Sequence, residues 1–175
     1  MPVTDDEPLD EIDLKILAEL QRDGRIRNNE LAERVGLSQP PCLRRMKSLR
    51  RRGYIREIRA SLDERRLGFE VTSLSLIQLK SQARASVQAF EAKIAALPHV
   101  QQCWQLSGDA DFLIKCLAAN VEAMHRQLLQ FAAMPEVRTI RTYPVLGLSK
   151  DAPLPLPEAP HPRPADQALR PAGQK

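Results

Sequence analysis

Between Ser38 and Gly53 the chain reads Ser-Gln-Pro-Pro-Cys-Leu-Arg-Arg-Met-Lys-Ser-Leu-Arg-Arg-Arg-Gly, and the chemistry it offers is the binding of a polyanion. Ser38 is placed to cap a helix with its hydroxyl, Pro40 and Pro41 fall in the first turn where a missing amide hydrogen costs nothing, and Gly53 stands where the helix should stop. Cys42, Leu43, Met46 and Leu49 recur at helical spacing as one apolar stripe, with Arg44, Lys47, Ser48 and Arg51 pointing roughly the other way. Solvated helix faces normally mix charge signs, yet between Arg44 and Arg59 the only acid is Glu57. Such a stripe is the electrostatic footprint of a nucleic-acid reader. An α-helix fits the major groove of B-form DNA and its N-terminal side chains reach base edges. The start of the helix, Ser38, Gln39 and Pro40, is therefore expected against DNA, with Gln39, Arg44 and Lys47 at base edges or nearby phosphates. Arg45, Arg50, Arg51 and Arg52 are expected mainly at phosphates. Any one Arg could instead pair with an acid of a neighbouring helix; the cluster carries the argument.

A second polar run, Ser107-Gly108-Asp109-Ala110-Asp111, joins two apolar stretches, and its residue types alone suit a tight hairpin loop. Catalytic and metal chemistry is thinly represented. His99, His125 and His161 share no ligand spacing with Cys42, Cys103 and Cys116, and the cysteines, odd in number and set among apolar neighbours, are expected as buried free thiols.

The elements that must position these groups follow from periodicity. Leu9, Ile12, Ile16, Leu17 and Leu20 step by three and four, with Asp10, Glu11 and Asp13 at the favourable N-terminal end of a first helix. Gln21-Arg22-Asp23-Gly24 breaks it. Asn28 is then read as the cap of a shorter helix with Leu31, Ala32 and Val35 inward, closed by Gly36. The turn Gly36-Leu37-Ser38 leads into the basic helix at helix-turn-helix spacing. Tyr54–Arg59 reads as a short extended segment, a wing or linker strand, with Arg56 and Arg59 at phosphates. Beyond it, Val71–Leu79 suits a strand, Ala83–Leu97 a helix, Val100–Leu106 and Phe112–Leu117 a strand pair, Asn120 the cap of a helix ending near Pro135, and Val137–Leu146 a last strand. That order, β-α-β-β-α-β, is the ferredoxin-like pattern, and its sheet keeps one face free of helices. An uncovered apolar sheet face favours pairing with a second copy, so a homodimer is expected, with two reading helices about 34–36 Å apart on a palindromic site.

The fold class expected is therefore α+β, a winged helix-turn-helix domain followed by a ferredoxin-like domain. The boundaries are 1–8 as a flexible acidic start, 9–67, 68–149, and 150–175 as a Pro-rich disordered tail. At 175 residues and 43% hydrophobic the chain can build real cores, and with 4% aromatic content they must be largely aliphatic. The net charge of +4 is concentrated between Arg25 and Arg66. No apolar run approaches the ~20 residues that span a bilayer, and Met1 to Leu9 lacks a signal peptide's basic start and apolar middle, so a cytoplasmic location away from membranes is expected.

Several segments together carry a resemblance: Leu-Asp-Glu-Ile-Asp-Leu-Lys-Ile-Leu from Leu9, Leu-Ala-Glu-Arg-Val-Gly-Leu-Ser from Leu31, Cys-Leu-Arg-Arg-Met-Lys-Ser-Leu from Cys42, Gly-Tyr-Ile from Gly53, and Ser-Gly-Asp-Ala-Asp-Phe-Leu from Ser107. From Leu9 to about Leu148 the chain resembles the Lrp/AsnC, or feast/famine, transcriptional regulators. The resemblance implies a sequence-specific regulator of double-stranded DNA whose second domain binds a small effector, usually an amino acid, between neighbouring copies. It also implies dimers that assemble into tetramers or octamers, and no cofactor beyond that effector. It places the effector loop on Ser107, Gly108, Asp109 and Asp111, with Gly108 letting backbone amides approach a ligand carboxylate and Asp111 accepting from its ammonium group. Thr139, Thr142 and Met124 are weaker candidates for the same pocket. Two other functions share much of this pattern: an effector-independent architectural DNA-binding protein, and an enzyme of the sirohaem decarboxylase type, whose architecture is similar.

Overall fold

Asp10 begins the first helix: its carboxylate accepts from the Asp13 amide at 2.8 Å, and the Asp13 carboxylate reaches back to the Asp10 amide, so each satisfies a donor the helix end would otherwise orphan. In the computed structural model, which describes residues 8–157, this helix is α1 (Glu11–Arg22), followed by α2 (Asn28–Arg34) and α3 (Gln39–Arg51). The expected acidic start, 1–8, lies almost wholly outside the described residues, as does the tail beyond Pro157. The chain divides into two units, 8–61 with 150–157, and 62–149, so the division falls after Ser61, ahead of Leu67.

The first unit closes around Leu9, Ile16, Leu17, Leu31, Ala32, Val35, Cys42, Leu49 and Ile55. Gly36 (φ 73°) ends α2 and Gly53 (φ 78°) ends α3, both in the left-handed region where a Cβ is strained. Leu37 then donates to the Ala32 carbonyl at 2.8 Å and Tyr54 to that of Leu49 at 3.0 Å, which turns the chain sharply at each end. Two caps differ from expectation. Arg27, not Asn28, occupies the cap position of α2, and the Asn28 side chain acts at longer range, donating to the Gln39 carbonyl at 3.1 Å. Ser38 holds the cap position of α3 without a side-chain bond, and its carbonyl opens the helix by accepting from Cys42 at 3.3 Å. Ser48 also differs: it lies on the packed face, 4% exposed, since a small side chain fits where the helices meet. Tyr54–Arg59, expected as an extended wing or linker strand, forms no strand.

The second unit has β1 (Val71–Leu79), α4 (Arg84–Ala95), β2 (Val100–Gln105), β3 (Phe112–Ala118), α5 (Val121–Ala132) and β4 (Val137–Pro144). The strands form one antiparallel sheet in the order β2-β3-β1-β4, giving the α+β arrangement of a winged helix-turn-helix followed by a ferredoxin-like unit. Ile77, Leu79, Phe112, Ile114 and Cys116 alternate onto one face and pack with Phe90 and Ile94 of α4 and Phe131 of α5. Phe90 and Phe112 meet with centroids 4.8 Å apart. Asn120 caps α5, accepting from the Ala123 amide at 2.8 Å. The opposite face presents half-buried Leu74, Leu76, Leu113 and Leu117 beside exposed Trp104 and Tyr143. Cys42 and Cys116 are buried free thiols, but Cys103 is exposed, because β2 is an edge strand. Among the described residues no helix is long and apolar enough to cross a membrane.

Candidate nucleic-acid interface and effector pocket

α3 sorts its cations by what they meet. Arg44, Lys47, Arg50 and Arg51 are exposed, as are Ser38, Gln39 and Pro40 at its start, and no acid lies within the helix. With the amide of Asn28 tied to Gln39, the N-terminal turn that would enter a groove is fixed to α2. Arg45 behaves differently. Its guanidinium donates to Asp10 at 2.6 Å and to Asp13 at 2.9 Å, so it locks α3 onto the start of α1 instead of facing outward. Arg52 is buried, with its guanidinium 4.9 Å from the Tyr54 ring centroid and 3.9 Å from Asp13. Neither the expected phosphate role of Arg45 nor that of Arg52 fits these positions: Asp13, itself buried, needs a cation, and α3 presents these two arginines to it. Arg56 is exposed just past α3, and Arg59 pairs with Glu57 at 2.5 Å.

In the second unit, Ser107, Gly108, Asp109 and Ala110 line a cavity of about 260 Å³ with Leu76, Gln78, Leu106, Thr139 and Arg141. The hairpin is closed by Leu106 donating to the Asp111 carbonyl at 2.8 Å, and Gly108 (φ 144°) carries the loop through a conformation unfavourable to a side chain. No atom stands within 4 Å of where a Gly108 Cβ would be, so the constraint is conformational and not steric. Asp111 is not part of the lining. One carboxylate oxygen accepts from the Leu79 amide at 2.7 Å and the other from the Gln82 side chain at 2.9 Å, so both oxygens expected to meet an ammonium group are already bonded within the chain. Thr142 bonds Ser75 at 2.8 Å on the opposite side of the strand, and Met124 lies on α5, so of the weaker candidates Thr139 alone reaches the cavity. Sequence reasoning missed Arg141, although its place two residues after Thr139 puts it on the same strand face. Leu76, Gln78 and Leu106 were missed too, since only the sheet register brings them to the loop.

The cavity thus offers one cation in Arg141, one acid in Asp109, hydroxyls from Ser107 and Thr139, and apolar walls from Leu76 and Leu106. The sulfur chemistry available is weak: burial, and secondarily the Cys103 thiol, push Cys116 up to about 11, so it is protonated near neutrality.

Residues 9–56 match the winged helix-turn-helix DNA-binding family and residues 72–155 match the Lrp/AsnC ligand binding domain family. A leucine-responsive regulatory protein of Rhizobium meliloti is 45% identical over 145 residues, 82% of this chain and 93% of its own length. The transcriptional regulator AzlB of Bacillus subtilis is 35% identical over 81% of this chain and 91% of its own. Among solved structures, the L-Met complex of a transcriptional regulator from Neisseria meningitidis superposes with a TM-score of 0.80 at 32% identity, covering 84% of this chain and 96% of that one. With both domains matched and this degree of identity, the chain belongs to the Lrp/AsnC family of DNA-binding transcriptional regulators.

Proposed function

We propose that this regulator reads a palindromic or pseudo-palindromic site as a homodimer and responds to an amino acid held by the hairpin loop of its second unit. The observation that carries the DNA assignment is the exposure of Arg44, Lys47, Arg50 and Arg51 on a helix that itself contains no acid and whose first turn is fixed by Asn28. In this reading Gln39, Arg44 and Lys47 meet base edges or adjacent phosphates, Ser38 and Pro40 approach the backbone at the helix start, and Arg50, Arg51 and Arg56 meet phosphates. Arg45 acts indirectly, by holding α3 in position.

The effector reading is supported by opposed charges across a small cavity: Arg141 suits a carboxylate, Asp109 an ammonium group, and Leu76 with Leu106 an aliphatic side chain. Relatives named for leucine response and a structural neighbour bound to L-Met make L-leucine and L-methionine the first ligands to try. No cofactor beyond the effector is required. The cavity opens on the helix-free face of the sheet, beside the apolar surface that would bury itself against a second copy, so an occupied loop would alter the fit between copies and their assembly into tetramers or octamers. The protein would act in the cytoplasm, on the nucleoid.

Calorimetric titration of the full chain with each amino acid tests the effector reading. Asp109→Ala and Arg141→Ala should each weaken binding about tenfold or more, and Asp111→Ala should disturb the loop's stability before its affinity. Effector binding that is insensitive to both Asp109 and Arg141 would place the ligand elsewhere.

A further inference from the structure

We propose that residues 154–157 form a strap that docks onto the helix-turn-helix unit, holds Tyr54–Arg59 in place and thereby makes DNA affinity depend on the C-terminal segment. A groove of about 750 Å³ runs along the first unit, walled by Leu17 and Leu20 of α1 on one side and by Ile55 and Ile58 on the other, and residues 154–157 line it as well. Leu156 is half-buried and packs against the first unit's core, whereas Leu154 is 75% exposed, so the strap has one anchor.

The segment it covers has little else to hold it. Tyr54 and Ile55 donate to the Leu49 carbonyl at 3.0 and 3.4 Å, and no strand ladder forms between Tyr54 and Arg59. Further along, fixation comes from side chains. Ile58 lies so close to Gly24 that a Cβ there would meet its Cγ2 at 2.9 Å, which seats the segment on the turn after α1. Leu156 completes the apolar wall over that seat. Pro153, Pro155 and Pro157 restrict the free segment to extended conformations, so little entropy is lost on docking. Residues 150–157 belong to the first unit, although the match to the ligand binding domain family runs on to 155. Of the tail expected to be disordered from 150 onward, 154–157 line this groove.

Docking and its effect on DNA are separable, since only the second rests on the placement of Arg56 at a phosphate. Limited trypsin digestion of the full chain, read by mass spectrometry, tests docking without DNA. Leu156→Asp should speed cleavage after Arg56 and Arg59 about fivefold or more, because cleavage follows the opened population. Leu154→Asp, which adds the same charge at an exposed position, should cleave as the parent chain does, and cleavage after Arg84 in the second unit should not change. Leu156→Ala, a milder loss, should fall between; it also separates undocking from unfolding, since an unfolded first unit would open Arg52 as fast as Arg56. Equal cleavage after Arg56 and Arg59 in all of these chains overturns the strap. In the DNA arm, Leu156→Asp should weaken binding to all sequences about three- to tenfold and lower the salt slope by about one, as Arg56→Ala does. Faster cleavage with unchanged DNA affinity overturns the dependence of DNA binding on the strap.

Discussion

Arg44 and Arg45 are adjacent in sequence and opposite in role. Arg44 is exposed on the outer face of α3, while Arg45 is held by two carboxylates of the first helix. Arg44→Ala is expected to relax base preference by about 1–3 kcal/mol, whereas Arg51→Ala should weaken all sequences alike and reduce the salt slope by about one. Binding assays on matched and mismatched duplexes across a salt series distinguish the two. Arg45→Ala should take from buried Asp13 the nearer of its two arginines and lower the stability of the first unit by about 2 kcal/mol, read by denaturant unfolding. His99 gives a pH dependence. Desolvation lowers its pKa below the ordinary 6.5, its Nε2 is buried without a partner, and its ring lies 5.8 Å from that of Phe131. The unfolded chain takes up a proton at His99 before the folded one does, so stability is lost as pH falls through about 6.5 and levels off below the folded pKa. Melting temperatures between pH 7.5 and 5.5 should fall for the parent chain and fall less for His99→Leu.

At the scale of elements, Phe112 stands at the centre of the second core, buried against Phe90, and Phe112→Ala should cost about 3–5 kcal/mol and unfold that unit selectively. Circular dichroism with urea titration checks it. The elements themselves were legible because each is amphipathic with a clear period: Leu9 to Leu20 in steps of three and four, Val71–Leu79 alternating, and Asn120 before α5 as a working cap. What sequence left open was every assignment that depends on a distant partner. Arg45 meets acids 32 and 35 residues away, and Asp111 is spent on Leu79, 32 residues earlier. Asn28 had the right residue type for a cap but stands one residue inside α2, where its Nδ2 donates to the Gln39 carbonyl of the following helix. Cys103 looked buried from its neighbour Trp104 only because nothing local says that β2 lies at the edge. Arg141 was hidden for the related reason that a cavity built from β1, β4 and a hairpin exists only after register is set.

For the whole molecule, the helix-free sheet face joins Leu74, Leu76, Leu113 and Leu117 to exposed Trp104 and Tyr143, a surface whose burial would stabilise a copy-to-copy contact. Leu113→Asp is expected to shift the assembly toward the 19.7 kDa monomer in light scattering, and to weaken DNA binding because two reading helices no longer act together. The most direct test of the central claim, that the exposed cations of α3 read sequence, is to select bound duplexes from a random pool with the full chain. The affinity of the selected site is then measured against unrelated DNA across a salt series. A twofold-symmetric site preferred by about a thousandfold or more, with the preference reduced about tenfold to a hundredfold in Arg44→Ala and kept in Arg51→Ala, is the expected result. Equal affinity for selected and unrelated DNA at every salt concentration would contradict it.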